Sequence, residues 1–372
     1  MYPPPRLVFW ETTPACNLKC IHCRRVTLAD QLTPQDLSTD EAFTLIDQIA
    51  EVGKPVFVLS GGEPLFRPDI YAIARYATDA GLPVALATNG TMINDDSAQQ
   101  IKASGVKRIS ISFDGADAAT HDHFRGLGGS FDKAIEGFQA LRRVGLPVQI
   151  NTTVAKHNED QMERMRQLAR DLDAVGLHLF LLVPVGCGVS IADEQMISAS
   201  EYERILNWMY DVEQAEPDLQ MKATCAPHYF RVMRTRRAED RRNGHMTALP
   251  PSHDRQVNGH PSMHAATKGC LAGTGVVFVS HRGDIFPCGY LPISAGNVRQ
   301  QRFGDIWQDS PFLQEMRDPD LLEGKCGICQ FKNLCSGCRA RAYGITGNYL
   351  AEEPFCAYDP KTRSLITPEA IS

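Results

Sequence analysis

RLVFWETTPACNLKCIHCRR, residues 6–25, runs from a β-branched and aromatic stretch straight into three cysteines within eight residues. RLVFWETT (6–13) has the composition of a buried strand, and Pro14 ends it. Cys16-x3-Cys20-x2-Cys23 therefore sits on a loop at the C-terminal end of that strand. Three thiolates placed so can bind three irons of a [4Fe–4S] cube, leaving the fourth iron to chelate a small molecule. A zinc site with His22 as the fourth ligand is the plain alternative.

Moving outward, apolar runs alternate with amphipathic ones up to about residue 215. The spacing predicts strands at 6–13, 55–60, 83–90, 106–115, 147–154 and 176–184, with helices between them, several ending in Gly. Such alternation reads as βαβ units on a parallel sheet: an incomplete six-unit barrel, or a doubly wound open sheet. Polar motifs fall at the strand ends. SGGEP (60–64) places Gly61, Gly62 and Glu63 after the second strand, where the glycines let a ligand approach backbone and Glu63 can hold an ammonium. TNG (88–90) places Asn89 after the third, and SISFDG (110–115) places Ser112 and Asp114 after the fourth, both suited to ribose or carboxylate contacts. One such motif alone would be turn chemistry. Several on one rim match how parallel α/β enzymes assemble their sites.

The rhythm changes near residue 216. An Arg-rich helix candidate (227–242) leads into a Gly-, Pro- and His-rich stretch read as a long mobile loop. GTGVVFVSHRGDIFPCG then reads as a β-hairpin turning at HRGD, followed by a short, cysteine-dense segment. The expected division is a main domain at 1–215, a connecting helix and loop at 216–265, and a cysteine-rich domain at 266–372. The chain has 12 cysteines in 372 residues, and Cys270, Cys288, Cys326, Cys329, Cys335, Cys338 and Cys356 crowd its last third. No signal-peptide pattern opens the sequence and no apolar run is long enough to span a membrane, so a cytoplasmic protein is expected, its cysteines metal ligands rather than disulfides. A zinc ribbon is the alternative for the C-terminal set.

The Cx3Cx2C motif, GGEP and the later strand-end residues, in this order over residues 6–215, resemble the radical S-adenosylmethionine (SAM) superfamily. The resemblance implies an α/β fold, a partial (β/α)6 TIM-like barrel. Cys16, Cys20 and Cys23 would hold a cluster whose open iron binds SAM, and Gly61, Gly62 and Glu63 would hold the methionyl amine. Ser112 and Arg125, the latter in HDHFRG, would contact the SAM carboxylate or ribose; a surface arginine at a helix end is the alternative for Arg125. The C-terminal array resembles the SPASM domain with its two auxiliary [4Fe–4S] clusters. By that pattern Cys326, Cys329, Cys335 and Cys356 hold the distal cluster, and Cys270, Cys288 and Cys338 the proximal one. Two departures stand: the last internal spacing is x2 rather than x3, and the proximal set lacks an evident fourth cysteine. An open iron, Cys225, a histidine or a carboxylate are all left as answers, with Cys225 equally readable as a buried small hydrophobe.

The net charge of −6 gives no reason to expect nucleic-acid or membrane partners. On a helix, Arg234, Arg237 and Arg241 would share a face suited to carboxylates, and His245, His253, His260 and His264 follow in the loop. A polycarboxylate iron porphyrin would use both. RLVFWETTPACNLKCIHCRR, KATCAPHYFRV (222–232), CLAGTGVVFVSHRGDIFPCGYLP (270–292) and GNVR (296–299) are similar to the anaerobic haem synthases of the siroheme-dependent haem pathway. That resemblance implies oxidative decarboxylation of two propionates of iron-coproporphyrin III to vinyl groups, with a flavodoxin or ferredoxin as electron donor. Action on a siroheme derivative, SPASM-type modification of a peptide, and an iron–sulfur electron carrier without catalysis are the other readings.

Overall fold

The computed structural model of the chain describes residues 1–24, 35–244, 256–257, 260–261 and 268–365. Each of the six expected strands is present: β1 (Leu7–Glu11), β2 (Val56–Ser60), β3 (Val84–Thr88), β4 (Arg108–Ser112), β5 (Val148–Val154) and β6 (Gly176–Leu181). They pair in sequence order, all parallel, with registers such as Leu7↔Val56 and Ser112↔Asn151. Helices cross back between them, including Thr39–Val52, whose Ser38 and Glu41 form a reciprocal capping box.

The sheet runs past residue 215. A seventh parallel strand, β7 (Gln220–Thr224), pairs with β6 inside the segment expected to be a connection. A small pair, β8 (Gln256–Val257) and β9 (His260–Pro261), stands apart from it. The expected hairpin is β10 (Val276–Val279) and β11 (Asp284–Phe286), followed by β12 (Gly296–Asn297). β10 does not keep to the cysteine-rich domain: it pairs parallel with β1, Leu7 opposite Val276. The resulting order is β12-β11-β10-β1-β2-β3-β4-β5-β6-β7, an open sheet whose edges are β12 and β7. Among the described residues no helix is long and apolar enough to cross a membrane.

Alternation along the strands sorts the two faces. Val8, Trp10, Phe57, Leu59, Leu86, Ile109, Ile111, Val148, Ile150, Leu177, Leu179 and Met221 join one hydrophobic core with the helices. Each such side chain is worth about 1.5–3 kcal/mol when buried. Their neighbours face the barrel interior, and on β4–β7 these are polar: Arg108, Ser110 and Ser112, Gln149, Asn151 and Thr153, His178, Lys222 and Thr224. A hydrogen-bonded row runs across this face, Arg108 Nε to Gln149 Oε1 at 2.6 Å and Gln149 Nε2 to His178 Nδ1 at 2.9 Å.

Candidate functional site

Because β1–β7 run parallel, the residues after each strand gather on one rim. The β1–β2 ladder continues beyond the strands: Gly62 N donates to Thr13 O at 2.8 Å and Glu63 N to Ala15 O at 2.7 Å. A Cβ at Gly62 would collide with the carbonyl oxygens of Ala15 and Pro14. The two glycines thus admit the cysteine loop close against the end of β2. This zipper fixes where Cys16 begins. Asn89, after β3, is drawn to the same place, its Nδ2 2.9 Å from Asn17 Oδ1 and 3.9 Å from Cys16 Sγ.

Glu63, the expected ammonium contact, is tied into the ends of the strands. Its side chain is wholly buried, accepting from Thr88 Oγ1 and Asn89 N at 2.8 Å each and from Leu65 N at 3.3 Å. Burial pushes its carboxyl up to about 7 against these donors. It clamps the end of β2 to the end of β3, and only the backbone beside it faces the rim.

Asp114 is likewise buried and meets no open space. It accepts from Thr153 N at 2.6 Å and pairs with Arg125 Nε at 2.7 Å. Arg125, far from being a surface arginine, is 9% exposed, and its Nη1 stands 3.8 Å from Cys20 Sγ. Asp114 therefore positions Arg125, and Arg125 brings a cation to a thiol. Ser112 is half-buried on the interior face at the end of β4. His22 turns its Nε2 toward Asp114 at 3.5 Å and stacks on Phe124, and burial pushes its pKa down to about 3. That orientation removes it from the zinc reading.

The C-terminal cysteines form two further groups. Cys326, Cys329, Cys335 and Cys356 line one cavity, together with His228, Arg231 and Tyr358. Three of these sulphurs accept backbone N–H groups: Glu353 to Cys326 at 3.3 Å, Phe331 to Cys329 and Gly337 to Cys335 at 3.4 Å. In the second group Cys270, Cys288 and Cys338 lie within electrostatic reach of one another, and Cys225, just after β7, packs against the hydrophobic cluster that contains Cys338. Among the described residues no three His, Cys, Asp or Glu side chains converge closely enough for one metal ion. Zinc, with Zn–S of about 2.3 Å, would require such convergence. Buried thiols around a cavity, met by N–H donors, fit a larger group bound through several sulphurs.

Comparison with known families agrees with this geometry. Residues 10–169 match the radical SAM superfamily, and residues 270–339 match the SPASM iron–sulfur cluster-binding domain. An AdoMet-dependent heme synthase of Methanosarcina barkeri is 49% identical over 96% of this chain and 97% of its own.

The chain belongs to the radical SAM superfamily.

Another AdoMet-dependent heme synthase, from Nitratidesulfovibrio vulgaris, is 44% identical over 96% of this chain and 94% of its own. In fold, the chain superposes on Streptococcus suis SuiB bound to S-adenosylmethionine with a TM-score of 0.69, at 17% identity over 95% of this chain and 77% of that one. This radical SAM protein is an enzyme, which sets aside the electron carrier, and its cofactors are [4Fe–4S] clusters and SAM.

The expected arginine face is redrawn. Tyr229–Arg242 is helical, and Arg234, Arg241 and Arg242 line an open groove of about 580 Å³ with Thr235, Ala238 and Phe331. Arg237 instead lies by Tyr210 and Tyr229, because i+4 rather than i+3 continues this stripe. The groove shares Phe331 with the distal thiol cavity and no residue with the strand-end rim. His245, His253 and His264 lie outside the described residues, and of His260 only the backbone is described.

Arg108 and Lys222 were not foreseen from the sequence. Both face the barrel interior, and among the described residues Arg108 Nη2 has no hydrogen-bond partner and no acid opposes either cation. Burial lowers Arg108 to about 10; burial, Arg108 and Arg6 lower Lys222 to about 8. Tyr290 was missed as well. It is within electrostatic reach of Cys225 and Cys288 on one side and of Arg24 and Asp114 on the other, so it stands between the rim and the second thiol group.

Proposed function

We propose that this enzyme is a haem synthase that converts two propionates of iron-coproporphyrin III to vinyl groups, giving haem b. The observation that carries the reading is the 49% identity, over nearly the whole of both chains, with a heme synthase. In this reading Cys16, Cys20 and Cys23 hold the SAM-binding cluster. Cys326, Cys329, Cys335 and Cys356 hold a distal auxiliary cluster, and Cys270, Cys288 and Cys338 a proximal one. The barrel, which takes β7 from within 216–265 and β10 from within 266–372, and the cysteine-rich C-terminal segment divide the work, and a flavodoxin- or ferredoxin-like donor supplies electrons in the cytoplasm.

When bound, the reduced cluster and SAM supply a 5′-deoxyadenosyl radical, which takes one hydrogen atom from the propionate β-carbon. Loss of CO2 and of one electron from that propionate would then give the vinyl group. The surplus electron would need an acceptor, which an auxiliary [4Fe–4S] cluster held by the C-terminal cysteines would supply. Arg125 steadies the charge at Cys20. Buried Arg108 and half-buried Lys222, with no acid opposite either among the described residues, offer two cations to propionates that reach into the barrel, where a charge pair is worth far more than at an exposed groove.

The test is anaerobic incubation of the reconstituted, reduced protein with SAM and iron-coproporphyrin III, read by mass spectrometry. Two stepwise decarboxylations with matching 5′-deoxyadenosine support the proposal. Deoxyadenosine with an unchanged porphyrin removes this substrate and sends the search to siroheme derivatives and peptides.

A further inference from the structure

We propose that Cys225 is the fourth protein ligand of the proximal auxiliary cluster, so that this cluster has no iron open to substrate. The inference rests on the reading that Cys270, Cys288 and Cys338 hold that cluster.

The backbone at Cys225 is built to deliver a side chain. Its φ of 59° is left-handed, a conformation that non-glycine residues adopt seldom and at some cost. It directly follows Thr224, the last residue of β7, so the turn breaks the strand's alternation at that point. Arg341 holds the new direction: its Nη2 donates to Cys225 O at 2.7 Å and to Leu181 O at 3.1 Å, while its Nη1 reaches Glu353 at 3.2 Å. This arginine is fully buried. The side chain so placed packs, with that of Cys288, against the buried hydrophobic cluster that contains Cys338. Glu353 in turn accepts from Cys338 N at 2.8 Å, so one buried ion pair fixes both cysteines.

A cysteine present only for packing needs none of this. An apolar neighbour would serve a cavity equally well, without a left-handed turn, an arginine anchor and two neighbouring cysteines, Cys288 and Cys338. Four thiolates also suit the chemistry of the proposed function. A fully ligated cluster takes an electron across space and leaves the porphyrin carboxylates to the barrel's own cations.

The experiment uses the full chain, reconstituted anaerobically, with Cys16, Cys20 and Cys23 all replaced by Ala so that only auxiliary clusters report. Onto this parent are placed Cys225→Ala, Cys225→Ser and Cys338→Ala. Iron and sulfide per chain are measured, with electron paramagnetic resonance of the reduced protein before and after added cyanide, a ligand for an open iron. The expected result is a parent spectrum indifferent to cyanide. Cys225→Ala should lose about one iron per chain, or show a new cyanide-shifted signal. Cys225→Ser, equal in size, should keep its fold by circular dichroism and change the same signal. A parent that itself responds to cyanide overturns the inference, as does a Cys225→Ala spectrum and iron content identical to the parent's. If Cys338→Ala also leaves both unchanged, the underlying cluster assignment falls. If Cys338→Ala loses iron and Cys225→Ala does not, only Cys225 is refuted.

Discussion

Nη1 of Arg125 lies 3.8 Å from the sulphur of Cys20. The cation is held there by a carboxylate with no solvent contact, Asp114, 2.7 Å from Nε. Removing one partner of a buried pair strands the other, at about 3–5 kcal/mol. Arg125→Met should therefore lower the melting temperature sharply, and Arg125→Met with Asp114→Asn should recover much of the loss. Anaerobic thermal unfolding of the single and double variants checks this. Equal melting points for the two would show that Asp114 does not carry the charge in question.

Gly62 gives a local prediction about cluster loading. Ala there would force apart the β2 end and the loop before Cys16, while the helix-facing core is untouched. Gly62→Ala should fold, keep its auxiliary iron and lose about four irons per chain, those of the SAM-binding cluster. Iron analysis together with the SAM-induced change in the paramagnetic resonance spectrum measures it. Full iron with a normal SAM response would contradict it.

Substrate carboxylates should distinguish the two basic regions. Arg108→Gln or Lys222→Met removes an inward-facing charged partner worth about 1.5–3 kcal/mol, a loss of about 10- to 150-fold in porphyrin affinity. Arg234→Gln with Arg241→Gln, on an open groove, should cost less than about 5-fold. Lys222 titrates near 8, and the protonated form binds, so affinity should also fall as pH rises through 8 and do so less in Lys222→Met. Fluorescence-quenching titrations with the iron-free porphyrin at several pH values read both effects; the reverse ranking would move the carboxylates to the groove.

Glu63 ties stability to pH. Its folded pKa of about 7 lies above the unfolded value near 4.5, so the folded state holds the extra proton between them. Stability from this group is present below pH 4.5 and is lost as pH rises through 7, by about 3 kcal/mol over the full range. Glu63→Gln, which cannot ionise, should flatten the decline in melting temperature between pH 5.5 and 7.5. A slope unchanged by the substitution would mean the carboxyl is ionised throughout.

The outline of the barrel was legible because β1–β6 carry apolar residues toward the helices at period two. β7 escaped because Gln220, Lys222 and Thr224 face inward, leaving only Met221 and Ala223 to mark the core side of QMKAT. Cys16, Cys20 and Cys23 could be picked out by spacing, since residues close in sequence stay close in space, whereas the division of the C-terminal cysteines came from the resemblance to the SPASM domain. The partners of Glu63 and Asp114 could not be read so. A carboxylate at a strand end looks like a ligand contact until its partners arrive from elsewhere, Asn89 for one and Arg125 and Thr153 for the other. Arg108 opens its strand, where an arginine ordinarily reaches water. Only the curvature of the sheet turns it inward.

The pairing of β10 with β1 makes the two cluster-bearing halves mechanically one. Val276–Val279 occupies what would otherwise be the bare flank of Leu7–Trp10, beside the strand that feeds Cys16. A barrel expressed without its C-terminal third would present that flank to other copies and tend to aggregate edge to edge. Cut at residue 244, the chain would lose its solubility along with its electron sink.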